Sequence, residues 1–307
     1  MNTPRSILET IQGQPEANGL ALIITNDYRD CHGLDTLSGT REDGERMHQA
    51  FQHLKFATHW ETNVTSSRLE QLIYDATHYE YYSHDQLRNY KCIAFVFSGH
   101  GRKKEHIYMQ DGKAVDTDEN IIKPFLPKST RKIGNLPKLF FIDACRGKED
   151  IDPVVVPRGS GKETEPKAVE RGVTEEQDSR VTPEGNYLIA YSTMPEHKSY
   201  ELQGKGGIWM TTLADKLCTS HDSIEDILTM VNEEMMEKYQ KAGQPPMQQP
   251  EKKSRLNKRV FLFPGGRQQM NGDATQLDPV VNRGVLLFPH CMYAFPFLAC
   301  ACMTSYF

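Results

Sequence analysis

Leu136-Pro137-Lys138-Leu139-Phe140-Phe141-Ile142-Asp143-Ala144-Cys145-Arg146-Gly147 holds four consecutive apolar residues that follow a proline and stop abruptly at polar residues and a glycine. A run without polar alternation suits a strand covered on both faces, as in the middle of a parallel sheet. Three similar runs occur at Leu20–Ile24, Ile93–Phe97 and Tyr187–Tyr191. Helical patterns lie between and after them. Thr40 is placed to cap a helix with Asp43 three residues on, and Met47, Phe51 and Leu54 then share one face. Behind Asp222 and Ser223 as cap candidates, Ile224, Ile227, Leu228, Val231 and Met235 recur at helical spacing. The alternation predicts an α/β fold, a mostly parallel sheet with helices on both faces.

The chain of 307 residues is long enough for one substantial α/β domain or two smaller ones. Its charged fraction of 25% and apolar fraction of 38% are those of an ordinary globular protein. A net charge of -5 over this length gives no reason to expect nucleic acid as a partner. Basic residues cluster only at Arg102–Lys104 and within Lys252–Arg259, neither interleaved with aromatics, and both read as solvated faces. Met1–Gly19 is polar and has no apolar core, so no signal peptide is expected and the location expected is cytoplasmic. The seven cysteines, at 31, 92, 145, 218, 291, 300 and 302, form an odd set without CxxC spacing. Cys300-Ala301-Cys302 is too close for a structural zinc pair. The expectation is free thiols in a reducing compartment, with no metal, no cofactor and an unmodified Asn63-Val64-Thr65 sequon.

Glu149–Gly185 breaks the pattern, being rich in Glu, Gly, Pro, Lys and Arg with almost no large apolar residue beyond Val154–Val156. It cannot bury enough surface to offset its ordering entropy and reads as a flexible linker. The expected layout is a short peptide (1–18), a larger part (19–148), the linker (149–185), a smaller part (186–266) and a tail (267–307). The first sheet is unfinished without Tyr187–Tyr191. Within the tail, Val285–Met303 is apolar and about long enough to cross a bilayer. Pro289, Pro296 and His290 argue against a membrane helix there. Palmitoylation at Cys291, Cys300 or Cys302 has no stronger support, and a disordered appendage is expected.

Two of the strands run into chemistry: Ile93–Phe97 into Ser98-Gly99-His100-Gly101, and Leu139–Ile142 into Asp143-Ala144-Cys145-Arg146-Gly147. Carboxyl ends of parallel strands line one edge, where ligands bind. A histidine and a cysteine on that edge, each near a glycine, can approach one another with backbone amides exposed. The thiol needs a base to populate its thiolate and an acid to protonate a leaving amine. Gly101 and Cys145 can supply N–H groups to a developing oxyanion. Singly, such a His is more often a turn residue and such a Cys core packing. At two strand ends, 45 residues apart, the pair is far more specific.

The D-A-C-R-G run with its upstream histidine resembles the caspases. The resemblance covers about Gly19 to Gly266. It includes Ser38-Gly39-Thr40 before the first helix, Asn135–Ile142 before the cysteine, Tyr191-Ser192-Thr193-Met194-Pro195 after the linker, and the closing Arg259–Gly265. It implies a six-stranded, helix-covered domain and a cysteine endopeptidase acting on protein or peptide substrates. It further implies linker cleavage into large and small subunits, dimerisation through the last strand, and His100, Cys145 and Gly101 as catalytic groups. Ser199-Tyr200 would then pair with the substrate backbone as an added strand.

The sequence departs from the family where aspartate specificity is built. Leu37 and Glu201 stand where the family has arginines, and Asp143 where it has a glutamine. Two cations are gone and two carboxylates have arrived, so a basic P1 side chain is expected instead, in the manner of metacaspases and paracaspases, whose Ser-Gly-His-Gly form is similar. Lys198 and Tyr200 are expected to shape the S2 pocket. Linker cleavage would then follow Arg158, Lys162, Lys167, Arg171 or Arg180. Asp178 is the main acidic alternative, since Pro153 follows Asp152. The competing readings are an aspartate pocket restored by Arg41, and a catalytically silent scaffold. A metal-dependent hydrolase lacks any HExxH or His-x-His motif.

Overall fold

The computed structural model describes residues 6–130, 133–150, 182–202, 204–243, 247–263 and 298–300. A short helix, α1 (Ile7–Gln12), is capped by Ser6 and precedes β1 (Gly19–Thr25). Then come α2 (Thr40–His53), β2 (Ala57–Thr62), α3 (Ser66–Thr77) and α4 (His84–Asn89). β3 (Cys92–Ser98) runs into a small meander of β4 (Gly101–Arg102), β5 (His106–Tyr108) and β6 (Ala114–Asp116), followed by α5 (Lys123–Phe125). β7 (Lys138–Asp143) and β8 (Gly147–Glu149) flank Cys145. β9 (Tyr187–Tyr191), β10 (Glu196–His197), β11 (Tyr200–Leu202) and β12 (Gly206–Gly207) lead to α6 (Ile208–Thr219) and α7 (Ile224–Lys241). β13 (Glu251–Ser254) and β14 (Leu298–Cys300) complete the set.

Six strands form the central sheet in the order β13-β9-β7-β3-β1-β2, parallel except for the edge strand β13. The four apolar runs are its four inner strands, and their continuous hydrophobicity follows from being covered twice. Leu22, Ile24, Phe95, Phe140 and Ile142 face α1, α3 and α5. Ile23, Val96, Leu139 and Phe141 face α2, α6 and α7. Each such side chain contributes about 1.5–3 kcal/mol on burial.

Three expectations change. The helix start at Thr40 has Gly39 as its N-cap and no side-chain cap, because Asp43 is drawn away into the site described below. Residues 1–18 include a packed element, since Ile7 and Ile11 of α1 are fully buried in the core. Within the tail, Leu298–Cys300 is a strand, antiparallel to β11, where no regular structure was expected. Ser223 is the N-cap of α7, as its sequence suggests. Among the described residues no helix is long and apolar enough to cross a membrane, and no cluster of side chains is arranged to hold a metal ion.

Candidate active site

Strand pairing brings the two chemical loops together. Ser98 on β3 lies beside Asp143 on β7, and the Gly99 N–H donates to the Asp143 carbonyl at 3.1 Å. His100 and Cys145 each follow their paired residue by two positions, so both stand at the carboxyl edge of the sheet. Gly101 allows the close approach. A Cβ there would fall 2.3 Å from the Cys145 carbonyl oxygen and 2.9 Å from Ala144 Cβ. Gly101→Ala is therefore expected to lower stability by about 1–3 kcal/mol through overpacking. Urea denaturation reads this, and an unchanged midpoint would mean that the loops do not touch.

His100 is held from two sides. Its Nε2 lies 2.8 Å from the Asp35 carbonyl oxygen, which can only accept, so Nε2 carries the proton and Nδ1 is the basic nitrogen. Its backbone N–H donates to the Tyr28 hydroxyl at 2.9 Å, and that hydroxyl donates to the Tyr108 carbonyl at 2.5 Å. The Tyr28 and His100 rings are 4.6 Å apart. Burial pushes the Tyr28 phenol far up, so it remains a neutral hydrogen-bond relay.

Cys145 is buried, and the Ser199 N–H points at its sulfur from 3.3 Å. The sulfur is disulfide-bonded here and marks the position of the thiolate. Among the described residues Cys31, Cys92 and Cys218 are free. The expectation of free thiols throughout is thus corrected at Cys145. Arg146 secures the next position: its guanidinium donates to Glu105 Oε2 (3.0 Å), Glu251 Oε2 (2.5 Å) and the Thr193 carbonyl (3.0 Å), and lies 3.9 Å over the Tyr191 ring.

Beside these loops Leu37, Asp143, Ser199, Tyr200 and Glu201, all flagged by the sequence, line one pocket. A third carboxylate, Asp43, joins them, and the sequence reading missed it. Asp43 accepts from Ser98 Oγ (2.7 Å) and Gly207 N (2.8 Å). Asp143 accepts from Ser199 Oγ at 2.7 Å. Glu201 accepts from the Ser38 and Gly39 amides at 3.2 and 3.1 Å. Burial raises the pKa of all three. The Asp143 charge pushes Asp43 and Glu201 up further, and Asp43 ends well above the usual carboxylate range. Hydrogen bonds from Ser199 and Ser192 oppose the rise at Asp143, and the two backbone amides oppose it at Glu201.

Lys198 is not brought to this pocket; its Nζ pairs with Asp150 at 2.9 Å, and the Tyr200 hydroxyl donates to the same carboxylate. Arg41 is exposed on α2, outside the lining. Arg158, Lys162, Lys167, Arg171, Asp178 and Arg180 lie outside the described residues. Besides Asp43, the sequence reading passed over Tyr28 and Asp35. The one available signal was that all three follow the carboxyl end of β1, on the edge that holds His100 and Cys145.

Comparison with known proteins agrees with this fold. The family model described as Caspase domain matches residues 18–261. Caspase-7 of Gallus gallus is 27% identical over 70% of this chain and 65% of its own length. Caspase-1 of Drosophila melanogaster is 26% identical over 69% and 60%. The chain thus spans somewhat under two thirds of these relatives. The crystal structure of caspase-1 from Spodoptera frugiperda superposes with a TM-score of 0.64 at 21% identity, covering 81% of this chain and 90% of that one. Residues 18–261, with the six-stranded sheet and with His100 and Cys145 at its carboxyl edge, place this chain in the caspase family.

Proposed function

We propose that this chain is a cysteine endopeptidase of caspase type that cleaves after arginine or lysine. Cys145 is the nucleophile, His100 Nδ1 takes and returns the proton, and the Gly101 and Cys145 N–H groups receive the oxyanion. The observation that carries the basic preference is the three-carboxylate pocket of Asp43, Asp143 and Glu201, whose lining among the described residues holds no arginine or lysine. At 4 Å and an effective dielectric of 20 each opposite-charge pair is worth about 4 kcal/mol before desolvation. A P1 guanidinium relieves repulsion that a P1 aspartate would increase. The exposed position of Arg41 speaks against its rebuilding an aspartate pocket.

Family membership supports a homodimer of large and small subunit pairs. β13 is an edge strand of the six-stranded sheet and is the element for two-fold pairing. Activation by cleavage within 149–185 belongs to the same reading, with 19–148 and 186–266 as the two subunits.

A peptide library varied only at P1, read together with mass spectrometry of self-processed protein, tests the proposal. Cleavage is expected after Arg and Lys, with new linker termini after one or more of Arg158, Lys162, Lys167, Arg171 and Arg180. A dominant terminus at Ser179 with preference for Asp at P1 would restore aspartate specificity. No turnover, with Cys145 unlabelled by an arginyl fluoromethyl ketone, would leave the scaffold.

A further inference from the structure

β11 begins at Tyr200, one residue after Ser199, whose N–H is 3.3 Å from the Cys145 sulfur. One edge of β11 is taken by β12 and the other by β14, in the order β12-β11-β14. The β14 pairing is antiparallel, with Leu298 beside Leu202, Ala299 beside Glu201 and Cys300 beside Tyr200. The tail therefore runs toward the nucleophile. Residues 264–297 separate it from the domain, a tether of up to roughly 100 Å that easily allows the return. Independently, the Cys145 sulfur is disulfide-bonded while Cys31, Cys92 and Cys218 are free. The chain's other cysteines are Cys291, Cys300 and Cys302, all in the tail.

We propose that the tail strand is a built-in competitive inhibitor, laid on the β11 edge that substrate would use, and that a tail cysteine locks it to Cys145 under oxidation. This rests on the peptidase reading above. β14 holds the β11 edge by backbone pairing, which is how the tail keeps substrate off that edge. The lock needs an oxidant of the hydroperoxide class. The Cys145 thiolate attacks the peroxide O–O bond, giving the sulfenic acid and releasing an alcohol or water. The tail thiolate then attacks that sulfur, the S–O bond breaks and water leaves. Two thiol exchanges with a reductant restore both thiols.

The full-length chain with iodoacetamide provides a test that needs no peptidase activity. Leu298→Pro with Ala299→Pro removes two neighbouring backbone donors from β14 and leaves β11 intact. In dithiothreitol the variant is expected to alkylate Cys145 about 3- to 30-fold faster than wild type, because a tethered competitor has been released. Its KM for an arginyl peptide is expected to fall by a similar factor at constant kcat. After hydrogen peroxide, non-reducing tryptic mapping of wild type is expected to join the Cys145 peptide to Gly284–Phe307, and Cys300→Ser and Cys302→Ser identify the partner sulfur. Equal alkylation rates, or no joined peptide, would overturn the inference. Joined peptides that mix isotopically heavy and light chains would also do so, by placing the tail on another molecule. Faster alkylation of the variant without any peptide cleavage would sink the peptidase reading and leave this one standing.

Discussion

Cys145→Ala and His100→Ala are each expected to reduce peptide turnover by about a thousandfold or more while leaving the fold intact. The first removes the attacking atom. The second removes the group whose Nδ1 is kept basic because Nε2–H is committed to the Asp35 carbonyl. Since the two act as one unit, the double variant is expected to be no worse than either single one. Both residues sit in loops fixed by other contacts, Tyr28 on one side and Arg146 on the other, so thermal unfolding should shift little. Turnover by purified Cys145→Ala at a tenth of wild type would remove the cysteine from the mechanism.

Neutralising the pocket is expected to divide substrates by charge. Asp43→Asn, Asp143→Asn and Glu201→Gln each remove one carboxylate facing a P1 cation. A partly desolvated charge contact typically costs about 2–5 kcal/mol when broken, so kcat/KM for arginyl peptides should fall tens- to thousands-fold and neutral-P1 peptides much less. The pH dependence has a definite sign. Burial raises all three pKa values, and the Asp143 charge raises those of Asp43 and Glu201 further, so cleavage after arginine should rise as pH increases through a range above ordinary carboxylate values. Stability should run the other way. A group whose folded pKa exceeds its unfolded one stabilises below the unfolded value and loses that contribution as pH rises through the folded value. Asp43→Asn should therefore weaken arginyl cleavage yet raise the melting temperature at neutral pH, by about 2–4 °C per kcal/mol. If Asp43→Asn leaves the arginine preference untouched, Asp43 is not part of the P1 site.

The sheet was legible because its inner strands are buried on both faces, which writes uninterrupted apolar runs such as Ile93–Phe97 and Leu139–Ile142 into the chain. His100 and Cys145 were legible because both close such runs beside glycines. Asp43 was not. In sequence it sits where a helix-capping partner belongs, and only the approach of Ser98 and Gly207 turns its carboxylate into the pocket. Tyr28 and Asp35 were hidden for a different reason: Asp35 acts through its backbone carbonyl, and the Tyr28 hydroxyl accepts from the backbone N–H of His100, and neither use depends on a recognisable motif. Edge strands were also missed. β13, Glu251-Lys252-Lys253-Ser254, is mostly exposed and charged, so it has no apolar signature. β14 is three residues long and its partner, β11, is not close in sequence.

Because β7 and β9 are neighbours in the sheet, paired from Lys138↔Tyr187 to Ile142↔Tyr191, a break anywhere in 151–181 would give two fragments with one shared interior. α2 of the first packs with α6 of the second in the same apolar cluster, and Arg146 reaches across the seam to Thr193 and Glu251. Neither fragment could keep its apolar faces dry alone, and a lone first fragment would present β7 as a bare apolar edge prone to self-association. A nicked molecule would therefore travel as a single particle in native solution and separate only in denaturant. The survival of each fragment would depend on the other, which ties their amounts in a cell to one-to-one stoichiometry.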